Sequence, residues 1–170
     1  MFSDTLPEHL NANRFIDAGE TLSGILQPEH YKRLAEMATL LPGGTASVTG
    51  SRVPYGPRRV VGTLGCDVEM VCQRCLEPVR LRLDGSIAWG LVFSETEMQS
   101  LDKALDPILI EDGELLLRQA IEDELVLLLP IMPMHEACDS GWTPDPEPGD
   151  APERESPFAV LTQLKNEQGP

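Results

Sequence analysis

The chain has 170 residues, 41% of them hydrophobic, and a formal net charge of −15. That length suits one domain with an extension rather than two full domains, and so acidic a balance argues against non-specific binding to nucleic acid or membrane. No apolar leader opens "MFSDTLPEHLNANRF" and the longest apolar run, residues 125–129, is far too short to span a bilayer, so a cytoplasmic protein is expected, its four cysteines free, metal-bound or catalytic rather than paired as disulfides.

Near the N-terminus "QPEHYKRLAEMATLL" predicts a helix over residues 29–40, with Pro28 in its first turn and Gly43 and Gly44 closing it. "TASVTGSRVPYGPRRVVG" then reads as two strand-like pieces about a Pro-Gly turn at residues 54–57. The clearest β signal follows. In residues 62–72, Leu64, Cys66, Val68, Met70 and Cys72 share one parity, and in residues 79–93, Val79, Leu81, Leu83, Ile87, Trp89 and Leu91 do the same. Joined by "QRCLEP", these runs predict an antiparallel hairpin with one buried face, on which Cys66 and Trp89 are core residues.

Apolar residues at 117, 121, 125 and 128 predict a helix over residues 114–129, ended by Pro130. Acids at 111, 112 and 114 suit the positive end of its dipole, and Glu122, Asp123 and Glu124 read as a solvated face. Beyond it, "TPDPEPGDAPERESP" has too little apolar content to order itself. The expected organisation is an α+β domain over residues 1–142, an antiparallel sheet packed by the main helix and a shorter N-terminal one. A flexible Pro- and acid-rich linker, 143–156, leads to a docking segment, 157–170. In that segment Ser156 can cap, Pro157 can take the first helical position, and Phe158, Val160, Leu161 and Leu164 form an apolar side.

Charge is uneven along the chain. Residues 51–90 carry six basic and four acidic side chains, whereas residues 91–150 carry two basic and fifteen acidic ones. A partner surface is therefore expected on the basic hairpin or on the acidic stretch.

The cysteines admit three readings. Cys72 and Cys75 at the hairpin end, with His135 and Cys138 of "HEAC" beyond the main helix, offer two donor pairs for a closed tetrahedral zinc site. A redox dithiol would want its CxxC at a helix N-terminus; here the pair lies between strands, with Arg74 the group that could lower a thiol pKa. In the third reading Cys75 and Cys138 pack as small hydrophobes and His135 caps a loop. No phosphate-binding loop, nucleophile elbow or HExxH pair appears, so neither an enzyme nor a small-molecule substrate is expected.

Three segments in order, "CQRCLEPV" at 72–79, "LPIMPMH" at 129–135 with Cys138 just after, and "PFAVLTQLK" at 157–165, resemble the YceD family, whose members are named for accumulation of large-subunit ribosomal RNA. "GILQPEHYKRLAE" is compatible with it. The resemblance implies a cytoplasmic bacterial accessory factor, non-enzymatic, in synthesis, processing or stability of 23S rRNA and hence in large-subunit biogenesis. Its partner would be the large-subunit precursor, with 23S rRNA met directly or through a basic ribosomal protein. Arg74, Arg80 and Arg82 are the candidate contacts, with Arg52, Arg58 and Arg59 nearby in sequence. Cross-strand pairing of Arg80 or Arg82 with Asp67 or Glu69 is the competing use of those charges. The acidic residues of 91–150 would suit a basic protein partner. Two rival functions stay open: a zinc-stapled interaction module for a basic protein, and a CxxC thiol-redox protein.

Overall fold

A computed structural model describes residues 5–52 and 56–139. In chain order its elements are β1 (Leu10–Asn11), α1 (Ala12–Ala18), β2 (Thr21–Ile25), a 3-10 turn (Pro28–His30) running into α2 (Lys32–Ala35), β3 (Thr39–Leu40), β4 (Thr45–Arg52), β5 (Arg58–Val71), β6 (Pro78–Val92), α3 (Glu95–Ser100), β7 (Asp106–Leu109), β8 (Glu114–Leu115) and α4 (Leu117–Leu128). Strands β2, β4, β5, β6 and β7 lie side by side in that order, and β3 pairs with β5 past the start of β4. β1 and β8 form a separate short ladder. The architecture is α+β, but the sheet is mixed: β7 runs parallel to β6, because the chain crosses over through α3 instead of turning straight back.

The β5–β6 ribbon organises the core. Its register runs from Val71 opposite Pro78 to Arg58 opposite Leu91, which sets Val60 against Trp89, Cys66 against Leu83 and Val68 against Leu81 on one face. That face packs with Phe15 and Ile16 of α1, Leu34 of α2, and Leu117, Ile121 and Leu125 of α4 in one cluster. Close approach needs the missing Cβ of Gly85, since one built there would lie 2.6 Å from Leu128 Cδ1. The opposite face of the sheet is polar; Thr21 and Thr49, and Ser23 and Ser47, pair their hydroxyls across strands at 2.8 Å.

The helix expected at 29–40 shrinks to the 3-10 turn and the four residues of α2. A segment this short has little helical stability of its own. The ladder offered by β5 beyond β4 takes Thr39 and Leu40 opposite Glu69 and Val68 instead. α1 was not foreseen; Asn11 Oδ1 accepts from Arg14 N at 2.9 Å to start it, and Gly19, at φ 60, ends it. α4 begins at Leu117, later than expected, because Asp112 and Gly113 turn the chain at positive φ and Glu114–Leu115 pair with β1. The acids at 111, 112 and 114 therefore precede the first helical turn. The turn expected at 54–57 falls partly outside the described residues, although β4 and β5 do pair, Arg52 facing Arg58. The linker at 143–156 and the docking segment at 157–170 also lie outside them. No helix among the described residues is long and apolar enough to cross a membrane.

The carboxylates of α4 are not a solvated face. Glu122 is buried, and its Oε1 accepts from the backbone N–H of Arg33 at 2.7 Å and of Leu34 at 3.2 Å, satisfying the first amides of α2. Asp123 meets the Arg33 guanidinium at 2.5 Å, and Glu124 accepts from Trp89 Nε1 at 2.6 Å. Glu122→Ala should cost about 2–3 kcal/mol, because it strands two amides at a buried site, and urea denaturation would measure it. Leu127→Ala, on the same helix but 79% exposed, should stay within about 0.5 kcal/mol.

Candidate metal centre

Cys72 and Cys75 sit in the turn between β5 and β6. The turn is closed by Cys72 N–H donating to the Glu77 carbonyl at 2.9 Å and Leu76 N–H to the Cys72 carbonyl at 3.0 Å. Leu76 takes φ 63, a left-handed conformation that costs a non-glycine residue about 1–2 kcal/mol. On the other side Pro130 follows the end of α4, and the chain returns across the tip, where the Pro133 carbonyl accepts from Gln73 N–H at 2.8 Å.

This double anchoring brings all four sequence-expected donors together. The ligand atoms of Cys72, Cys75, His135 and Cys138 lie within 4.8 Å of one another. Cys72 Sγ is 3.8 Å from Cys138 Sγ, and Cys75 Sγ is 3.4 Å from His135 Nδ1. Bond lengths of about 2.3 Å to sulfur and about 2.0 Å to nitrogen set the edges of a zinc tetrahedron at about 3.8 Å for S···S and about 3.5 Å for S···N. The cluster could therefore hold a metal ion. His135 Nε2 lies 3.1 Å from the Pro78 carbonyl, which can only accept, so Nε2 is the donor there and Nδ1 is the nitrogen turned towards the sulfurs.

The thiols are not equivalent. Hydrogen bonding from the Cys75 backbone, helped by that of Arg74 and His135, holds the Cys72 thiol down to about 5. Burial, followed by the neighbouring Cys72 and Cys75 sulfurs, raises that of Cys138. Thiolates brought this close repel one another, and a cation among them relieves that repulsion. Cys66 is separate: it is buried in the core as expected, and burial pushes its thiol up to about 11.

Among the described residues, the candidate contact arginines are drawn to separate partners. Arg74 reaches across the tip, donating from Nη1 to the Cys138 carbonyl at 3.4 Å, with Nη2 3.8 Å from Met134 Sδ. Arg82 is held by Asp84 at 2.9 Å and Asp67 at 3.5 Å, while Arg80 stands 3.6 Å from Glu69, the cross-strand pairing weighed against a contact role. Arg52 meets Asp17 at 3.2 Å, and Arg58 lies 4.5 Å over the Phe93 ring. The bonds from Gln73 to Pro133 and from His135 to Pro78 hold the two halves of the site in place. Neither had a sequence signal, since both use backbone carbonyls. Residues 73–75 form a turn rather than the helix start that a redox dithiol needs.

The family model described as "Large ribosomal RNA subunit accumulation protein YceD" matches residues 60–165. A protein of that name from Haemophilus influenzae is 33% identical over 118 residues, 64% of this chain and 68% of that protein. No solved structure matches the chain significantly. For the thiols, Ellman's reagent should leave Cys66 untouched in native metal-free protein and reach it only in guanidinium chloride. Cys66→Ala should accordingly leave the native thiol count unchanged.

Proposed function

The chain belongs to the YceD family, and on that footing we propose that it supports 23S rRNA accumulation by binding the large-subunit precursor, its contact end held together by zinc. The observation that carries the zinc is the convergence of three sulfurs and one imidazole nitrogen within 4.8 Å of one another, with one S···S and one S···N separation, 3.8 and 3.4 Å, at tetrahedral edge lengths. A thiolate-rich set with one imidazole suits zinc, and four protein donors leave no open position for a substrate. Bound there, zinc would supply a cross-link between the ribbon tip and the exit of α4. The role is therefore binding rather than catalysis, in the cytoplasm where ribosomal particles mature.

Around this tip Val71, Leu76 and Met132 are exposed, at 54%, 73% and 63%, beside the exposed Arg74. Such a mixture of apolar surface and guanidinium favours a contact role. Arg80, with its side chain 77% exposed and a long 3.6 Å approach to Glu69, is the second contact residue. Arg82 contributes less, because Asp84 and Asp67 already counter its charge. A second reading, in which a basic ribosomal protein mediates the association, is favoured by the fifteen acids of residues 91–150.

Purified protein should contain about one zinc per chain by mass spectrometry, and Cys75→Ser or Cys138→Ser should bring this below about a tenth. In a strain lacking the gene, the wild-type chain should restore the ratio of 23S to 16S rRNA, and Arg74→Glu with Arg80→Glu should not. Full rescue by that folded double variant would remove the contact assignment.

A further inference from the structure

We infer that the groove between α4 and β7 receives an extended, lysine- and arginine-rich segment of a partner protein, laid along the free edge of β7. β7 is the last strand of the sheet. Ile110 N–H donates to the Val92 carbonyl at 2.8 Å, so by alternation Asp106 and Ile108 turn their main-chain groups towards β6, and Pro107 and Leu109 turn theirs away. Proline has no N–H to leave unpaired, which is the position it tolerates at a sheet edge. The Pro107 carbonyl and both groups of Leu109 remain on offer, and no strand among the described residues lies beyond them. A free edge of this kind pairs with an extended peptide.

The groove beside that edge is a cavity of about 560 Å³ floored by apolar side chains. Leu116 and Leu127 are 43% and 79% exposed there, beside the half-buried Ile108, which shares the Trp89 face of the sheet. Its rim carries Asp106, Glu111, Asp112, Glu114, Asp123 and Glu124, and neither lysine nor arginine lines it. Asp123, Glu124 and Glu114 already meet Arg33, Trp89 and His9. Asp106, Glu111 and Asp112 form no ion pair among the described residues. An extended chain alternates its side chains, so one set of residues can rest on the leucines while the other presents cations to the rim.

The site shares no residue with the four-donor centre. It deepens the reading in which a basic protein mediates the association, and it is tested with purified components, so its failure would leave any rRNA complementation result standing. The probe is a fluorescein-labelled peptide alternating lysine with valine, titrated with the full-length protein and read by fluorescence anisotropy. Asp106→Lys with Glu111→Lys should weaken binding at least about tenfold, and Leu127→Ser about fivefold. Glu20→Lys with Glu36→Lys makes the same change in net charge on exposed residues outside the groove, and should stay within about twofold. Circular dichroism checks the fold, and Asp106→Asn with Glu111→Gln replaces any reversal that fails to fold. Equal losses in the groove and control variants would overturn the assignment, leaving only overall charge. A rise of about tenfold on Phe158→Ser with Leu161→Ser would overturn it too, by making the chain's own terminal segment the occupant.

Discussion

Between Val71 opposite Pro78 and Arg58 opposite Leu91, strands β5 and β6 keep a single register, and most of the structure is built outward from it. Because side chains alternate, a slip of one residue would expose Val60, Leu64, Cys66 and Val68 and drive Asp67 and Glu69 into the core. Opposite charges guard against that slip. Asp67 faces Arg82 and Glu69 faces Arg80, so a shifted pairing would lose both attractions. The same register decides where the ribbon stops, and thus where Cys72 and Cys75 are presented.

α4 links this ribbon to the rest of the domain by chemistry at both ends. Along its length Glu122, Asp123 and Glu124 tie α2 and the indole of Trp89, while Leu128 fills the hollow above Gly85. At its exit the chain returns over the tip of the same ribbon. The helix is thus seated by packing and polar bonds that do not involve His135 or Cys138. Errors in that seating would be carried into the donor geometry, where a tetrahedral site tolerates only a few tenths of an ångström.

The ribbon could be seen in the sequence because period-two alternation is a local signal that burial on one face enforces. The donor set could be seen because two residues separate Cys72 from Cys75 and His135 from Cys138. Other features depended on partners far along the chain. Glu122 looks like part of an exposed acidic run until the amides of Arg33 and Leu34, 89 and 88 positions away, are placed beside it. Thr39 and Leu40 follow a helical pattern until β5 presents an open ladder to them. α1 has only seven residues, too few for a clear periodicity, so its signs were the flanking Asn11 and Gly19. The arginines were ambiguous because their use turned on whether the register put acids opposite them.

The two halves of the donor set lie far apart along the chain: 66 positions separate Cys72 from Cys138, and 60 separate Cys75 from His135. During synthesis the ribbon is complete while the second half has still to be translated. A clasp spanning that much polypeptide would act mostly on the unfolded chain, restricting it by about 4 kcal/mol in the loop-entropy picture. An ion captured there would thereby mark a chain translated past Cys138, since any nascent chain stopped short of that residue owns the ribbon without the means to lock it.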